Sequence, residues 1–480
     1  MSKYVVYASD YAALDSDVIC GGGTDDTEAL QAVLDKALEW GHLHLIVDGA
    51  ALVRGLVVHS NTTIECMDKS CGFFLADNSD CAVLRNSNPG YDTIHTHHVT
   101  LLGGTYNHNC LHQAHDVPSN NPAEACVNMP ERYKEDEQRH ATVAIELIGI
   151  EYLNVRDLTV RDQRTYAFTV GNFRHVNIEN TYIELENEIP FGNQDGFHFW
   201  GPGQFLTMRN IGGRTQDDFM NIGPDERDGV SAITDVLVDG VFLDDAYQGI
   251  RLLSRGTGLL DRVTIRNVTG RYRCFGFYIN PWFISETLGN FGNIVFENID
   301  LRPGTNPYEN TTYSNPPFLF SIGGDIESLT LRNIHWYHPC DDRTVFQIGY
   351  PFHDFSCPFT RKPRIKSLLI DGFQVYQQDN AKQDMCCLMI RGIVERLTLR
   401  DVSVMSSGNK EVCGCLLKTL PDAEVHRLTL DRACVEAMKT LLDLQEGEIN
   451  LLILNHVLTK HVHTNMIGKA KQVIGTITEI

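Results

Sequence analysis

A short phrase of two apolar residues alternating with polar ones, then Arg or Asp, then Asn, Gly or Asp, keeps returning from about residue 150 onward. It reads Leu153-Asn154-Val155-Arg156-Asp157, Val176-Asn177-Ile178-Glu179-Asn180 and Leu206-Thr207-Met208-Arg209-Asn210, and it begins again at Val236, Val263, Ile294, Leu329, Leu368, Leu397, Leu428 and Leu451. Successive copies lie about 20 to 40 residues apart, the range in which self-similarity marks a solenoid. Period-two alternation makes each copy a short strand with one face inward, and the Asn, Asp or Gly that follows tolerates a bend or a left-handed conformation. One such rung cannot bury its Leu, Val and Ile alone, whereas stacked rungs form a continuous core with parallel strands in register. An antiparallel sandwich should carry tight hairpin signals between neighbouring strands, and these are sparse. Leucine-rich repeats have a tighter period and a different Leu-Asn pattern. The expected fold is an all-β, right-handed parallel β-helix with a short N-terminal helical cap, organised as a single domain over residues 1–480.

The cap is expected within residues 1–45. Gly21-Gly22-Gly23-Thr24-Asp25-Asp26-Thr27 reads as a turn and an N-cap cluster, and the apolar positions from Glu28 to Leu38 recur at helical spacing, predicting an amphipathic helix that ends near Gly41. A solenoid needs its end covered, since an open core cross-section and unpaired strand edges invite association. A phosphate loop is the other reading of the glycine run, but it lacks the Lys that such a loop requires. Residues 107–140 form a long polar insertion rich in His, Asn, Pro and Glu, and Pro303 to Pro317 and Tyr350 to Pro363 are further irregular stretches that can wall a binding face.

A formal net charge of -22 argues against a nucleic-acid surface and against docking on anionic lipid, both of which need clustered Lys and Arg. No apolar run reaches the roughly 20 residues that span a membrane, and the start lacks an export-signal pattern, so a cytoplasmic location is expected. The 14 cysteines show no regular framework, and Cys386-Cys387 and Cys413-Gly414-Cys415 are too close to be ordinary staples. They are read as buried reduced thiols. A zinc site on Cys413, Cys415 and His426 is the alternative, although the spacing fits none of the usual knuckles.

Two segments carry the chemistry. Asn193-Gln194-Asp195-Gly196-Phe197-His198 is followed about one repeat later by Thr215-Gln216-Asp217-Asp218-Phe219. Carboxylates one coil apart can converge on a single bond, as glycoside hydrolysis requires: one acid protonates the leaving oxygen, and one or two bases hold a water. Crowded together as anions the three repel, so one keeps a proton near neutrality, and the set titrates as a unit. Which of the two adjacent aspartates holds that proton is not readable from the spacing.

In this context the two segments resemble the polygalacturonase-like glycoside hydrolases, family 28, within the pectin-lyase-like superfamily. That family carries an Asn-Thr-Asp-Gly segment, then a (Ser/Gly)-(Gln/Asp)-Asp-Asp segment, then a strand ending Gly-(Ile/Val)-Arg-Ile-Lys. Here these read Asn193-Gln194-Asp195-Gly196, Thr215-Gln216-Asp217-Asp218 and Gly249-Ile250-Arg251-Leu252-Leu253, and the Gly21 to Thr27 run resembles the superfamily's N-terminal cap. The resemblance spans about residues 20 to 300. It implies an inverting hydrolase in which Asp217 is the general acid and Asp195 and Asp218 polarise the attacking water. It also implies a carbohydrate substrate held by Asn193, His198 and Arg251, with Tyr278 and Trp282 as aromatic contacts, and neither a cofactor nor a metal. The number of subunits is left open.

Two departures bear on the substrate. The family's Gly-His-Gly coil has no counterpart, and Leu253 stands where the family's carboxylate-binding Lys would be, so a neutral sugar or a differently placed acid stands beside galacturonate as the expected substrate. His198 has a second reading as a solvent-facing histidine, and Tyr278 as core packing. Trp200 is a candidate cleft residue, Asp225 and Glu226 are alternative carboxylates, and Asp244 and Asp245 read best as solvated surface. A polysaccharide lyase using Arg251 as base and Ca²⁺ held by the aspartates, and a tailspike-like protein that binds carbohydrate without turnover, are the competing functions.

Overall fold

The computed structural model describes residues 4–118, 139–281, 287–305, 318–338, 344–350, 361–377, 386–406 and 413–480. Trp282 and most of the three expected loop stretches lie outside the described residues. The insertion at 107–140 is represented by its flanks, where Asp116–Pro118 pairs antiparallel with Arg139–Ala141. The chain divides into two compact units, Met1–Tyr247 and Gln248–Ile480.

In the first unit, Ile145–Arg156 pairs with Phe168–Glu179, that strand with Phe197–Gly213, and Phe197–Gly213 with residues 233–243, every pairing parallel. In the second, Leu259–Ile279, Asn290–Pro303, Ile326–His338, Arg364–Gln377, Ile393–Ser406, Glu424–Leu444, Glu448–Gly468 and Gln472–Glu479 follow one another in a single parallel ladder. Each strand hydrogen-bonds to the one a coil later, which an antiparallel sandwich cannot do. The fold is the right-handed parallel β-helix. Among the described residues, no helix is long and apolar enough to cross a membrane.

The repeated phrase is the mechanical unit of both ladders. Leu153, Val176, Leu206 and Val236 occupy one register column, and Val155, Ile178, Met208 and Val238 the next, none more than 3% exposed. Burying each such side chain stabilises by about 1.5–3 kcal/mol. The chain then turns at a left-handed residue: Asp157, Asn180, Asn210 and Gly240 in the first unit, and Asn267, Asn298, Asn333, Gly372, Asp401 and Arg432 in the second, all at positive φ. Asn, Asp and Gly enter this region at least cost. The corner side chains also bond from rung to rung: Asn298 Nδ2 donates to Asn267 Oδ1 at 2.9 Å and Asn333 Nδ2 to Asn298 Oδ1 at 2.8 Å. Arg432 is the costly member of the column, and it is held by Asp401 through bonds of 2.6 and 2.7 Å. At Leu451 the phrase slips by one residue, because Leu452 and Leu454 are the buried pair and His456 takes the left-handed corner.

The helical segment runs Thr27–Leu34 and Lys36–Trp40 and stops at Gly41, which adopts a φ of 78°. Leu30, Val33 and Leu34 are fully buried. Asp26 occupies the N-cap position, but its carboxylate does not cap the helix: it accepts the backbone N–H groups of Ala13 and Leu14 at 2.8 and 2.9 Å. Gln31 does the covering expected of a cap. Its amide oxygen accepts Val57 N–H at 2.8 Å and its amide nitrogen donates to Val57 C=O at 3.1 Å, satisfying a strand residue that, among the described residues, has a neighbouring strand on one side.

The corner analysis predicts that Asn298→Val, which forces a β-branched residue into the left-handed region and removes two ladder bonds, destabilises the second unit by about 1–3 kcal/mol. Asn298→Gly should recover most of that loss. Urea unfolding midpoints of the two variants, compared at equal slope, test the pair.

Candidate active site

The two aspartate segments are clamped to one another by backbone. Gly196 N–H donates to Asp218 C=O at 2.8 Å, and Asp217 N–H and Gln216 N–H both point at Gln194 C=O at 3.3 Å. A Cβ on Gly196 would stand 2.4 Å from Phe219 C=O, so only glycine permits this approach. Gln194 is fully buried and takes no substrate-facing position: it donates to Gln163 C=O and Asn187 C=O and accepts Ile189 N–H. These constraints bring Asp195, Asp217 and Asp218 together, with one carboxylate oxygen of each within 4.8 Å of the others. Asp195 and Asp218 are 3% and 2% exposed, while Asp217 is half-buried.

The strands beyond the clamp place the remaining groups. Phe197 and Phe199 point into the core at 0% exposure, and so do Met220 and Ile222 in the registered strand Asp218–Gly223. Alternation therefore turns His198, Trp200 and Asn221 to the opposite face. His198 is 4% exposed, which overturns its solvent-facing reading. Its Nδ1 lies 3.0 Å from Asp195 Oδ2 and its Nε2 2.8 Å from Glu226 Oε2, and its ring stacks on Tyr166 at 4.2 Å between centroids. Asn193 reaches the same ring system, donating to the Tyr166 hydroxyl at 3.2 Å. Asn221 Nδ2 donates to Glu226 Oε2 at 3.2 Å, and Gly223 leaves the room that Glu226 fills, since a Cβ there would meet Glu226 Oε2 at 2.8 Å.

Burial of the His198 ring works against its charge. The Glu226 carboxylate and the hydrogen bonds to Asp195 and Glu226 outweigh that penalty and push its pKa up to about 10. An imidazolium held between two carboxylates fixes the orientation of Asp195 and supplies a positive charge beside the aspartate cluster. Sequence spacing did not indicate this role, because Glu226 sits in a turn after the strand and Tyr166 in the preceding coil, and neither carries a motif.

Trp200 lies over Gly171, where a Cβ would stand 2.5 Å from the indole, and Tyr91 stacks on Trp200 at 5.4 Å with Arg227 4.9 Å from the Tyr91 ring centre. A cavity of about 790 Å³ is lined by Arg161, Tyr182, Glu184, Glu186, Glu188, Arg214 and Asp244. Its walls continue along the chain into the aspartate segments, since Arg214 leads into Thr215-Gln216-Asp217 and Glu188 into the loop that ends at Asn193. Asp244 is exposed and accepts from the Tyr182 hydroxyl at 3.3 Å.

Two expected substrate residues belong to the second unit. Arg251 is 9% exposed and donates to Gln248 Oε1 at 2.7 Å. Tyr278 is 2% exposed and meets Phe275 and Phe318 edge-on, so it is packed as its core alternative describes. Leu253, at the position of the family's Lys, is fully buried.

No protein-family model and no curated protein matches the sequence. Solved structures do. The tailspike protein of E. coli bacteriophage HK620 in complex with a hexasaccharide aligns with 99% of this chain and 78% of its own at 9% identity, with a TM-score of 0.54. The family 28 exopolygalacturonase of Yersinia enterocolitica aligns with 100% of this chain and 78% of its own at 13% identity and a TM-score of 0.48. The exopolygalacturonase of Thermotoga maritima covers 94% and is covered over 91%, at 13% identity and a TM-score of 0.42. The chain has the right-handed β-helix fold seen in the tailspike.

The two-carboxylate grip predicts that the His198 imidazole stays protonated from about pH 6 to pH 8, where a free histidine with a pKa near 6.5 would titrate. Its folded pKa lies above the unfolded value, so its contribution to stability is complete below about pH 6.5 and is lost as pH rises through about 10. The His198 Cε1–H resonance should be flat across the neutral range in the wild type. Glu226→Gln should bring its titration down toward the ordinary value.

Proposed function

We propose that this protein hydrolyses glycosidic bonds in an oligo- or polysaccharide, with Asp217 as general acid and with Asp195 and Asp218 holding the attacking water. The observation that carries the reading is the convergence of three aspartate carboxylates from two backbone-clamped segments. The half-buried Asp217 is the member best able to reach a leaving oxygen, and the buried pair is suited to holding a small nucleophile. The approach within 4.8 Å is closer than the roughly 6.5–9.5 Å separation of two-carboxylate inverting sites, where the water sits between the groups. With three carboxylates, two share the water and the third serves the leaving group. Inversion is the outcome proposed from the family resemblance.

The substrate is proposed to be a neutral or amino sugar in place of a uronide. The cavity whose lining includes Glu188 and Arg214, a few residues before the two aspartate segments in the chain, sets four carboxylates, Glu184, Glu186, Glu188 and Asp244, against two guanidiniums, Arg161 and Arg214. Both arginines are already paired: Arg161 with Glu184 and Glu186, and Arg214 with Glu188 at 2.9 Å. A uronate carboxylate would meet net negative charge there.

One observation favours a second reading. Three carboxylate oxygens this close also suit a divalent cation bound by oxygen ligands, as in a metal-dependent polysaccharide lyase, where the cation neutralises the uronate and the bond breaks by elimination.

A single assay separates these readings. Neutral and uronic oligosaccharides are incubated with wild type and Asp217→Asn, and reducing ends, anomeric configuration by NMR and ultraviolet absorbance are recorded. Hydrolysis predicts new reducing ends on neutral substrates, faster than on uronides, the β or α anomer opposite to the substrate appearing first, and a loss of at least about 100-fold in Asp217→Asn. Absorbance from a new double bond that disappears on chelation identifies a lyase. Saccharide binding that survives in Asp217→Asn with no turnover in either protein identifies a binding protein, as in the tailspike-like reading.

A further inference from the structure

Two of the closely spaced cysteines left outside the hydrolytic reading come together in the second unit. Cys386 and Cys415 are register partners on the neighbouring parallel strands Cys386–Ile390 and Cys413–Thr419. Their sulfurs lie 2.7 Å apart, within about 0.7 Å of the S–S bond length. Stacked strands run about 4.8 Å apart, so registered side chains on one face are neighbours by construction, but closure of two sulfurs to this distance is the approach that precedes a bond. Zinc does not account for it. Two thiolates on one tetrahedral zinc, each bonded at about 2.3 Å, stand about 3.8 Å apart. His426, the third member of the zinc reading, is bound instead to Glu424 at 3.0 Å. Among the described residues, only Asp195, Asp217 and Asp218 gather ligand atoms as a metal would require.

We propose that Cys386 and Cys415 are an oxidative modification site, forming a reversible disulfide between consecutive coils when the protein meets a two-electron oxidant of the peroxide class. The two cysteines divide the reaction. Cys386 is half-buried and meets the oxidant, while Cys415 is 5% exposed and waits behind it. The hydrogen bond from the Cys415 S–H, with the Lys418 ammonium nearby, outweighs burial and holds the Cys386 thiol below its ordinary range. The same contact pushes the Cys415 thiol up. The Cys386 thiolate attacks one peroxide oxygen and breaks the O–O bond, giving a sulfenic acid, with the other oxygen leaving as water after taking a proton. The Cys415 sulfur then attacks the sulfenic sulfur and displaces a second water. In sum two thiols and one hydrogen peroxide give one disulfide and two waters, the sulfurs being oxidised by two electrons and the peroxide reduced by two.

The test uses the full-length protein, fully reduced, treated with hydrogen peroxide, capped with iodoacetamide, digested and mapped by mass spectrometry. The expected product is a peptide pair joined through Cys386 and Cys415, lacking two hydrogens and returned to free thiols by dithiothreitol. Alkylation of both cysteines after peroxide, or a link from Cys386 to any other cysteine, overturns the proposal. In Cys415→Ser the oxidation should stop at the sulfenic acid on Cys386, captured by dimedone, and the absence of that adduct also counts against it. The wild-type map stands whether or not the variant folds.

Discussion

Each described coil must return to its starting register after one lap, and a left-handed residue placed two positions after an inward apolar pair is what makes it do so. The corner redirects the backbone at the same point each time, so Leu153, Val176, Leu206 and Val236 fall into one column and the hydrogen bonds between coils stay parallel. The two demands sit two residues apart and neither succeeds alone. Without the apolar pair a corner has nothing to pack against, and without the corner the pair drifts out of register and its alternation exposes the wrong face. The asparagine ladder along the corners adds polar bonds in the same direction as the backbone bonds. The aspartate clamp works differently: Gly196, with no side chain, lets two segments touch through their backbones.

Because that coupling is local, the fold was readable in the chain. Strand, corner and stacking period are all written within five residues and repeated. The helix was readable from its apolar spacing, but the covering contact was not. Asp26 looked like a helix cap and instead ties down the segment before it, while Gln31, which carries no motif, does the covering. A side chain that satisfies a distant backbone leaves no period in the sequence.

The site divides the same way. The three aspartates are readable because they lie in two short segments, and the clamp between those segments uses only the backbone of those segments and the glycine at Gly196. His198 is visible as a residue of the right strand, but its charge state is not, because that depends on Glu226 from another segment. Tyr278 shows the limit in the opposite direction. Its motif position suggests contact with a ligand, and its burial is decided by the packing of coils around it. Contacts set within a segment transfer to sequence, whereas contacts set by stacking have to be seen.

The backbone clamp on the aspartates carries one more consequence. Asp195, Asp217 and Asp218 are positioned by Gly196, Gln194 and the carbonyls of their own segments, none of which lines the charged cavity. Its charged lining comes from Glu184, Glu186, Glu188, Arg214 and Asp244, which take no part in that clamp. The charge of the cavity lining can therefore change without disturbing the placement of the three aspartates.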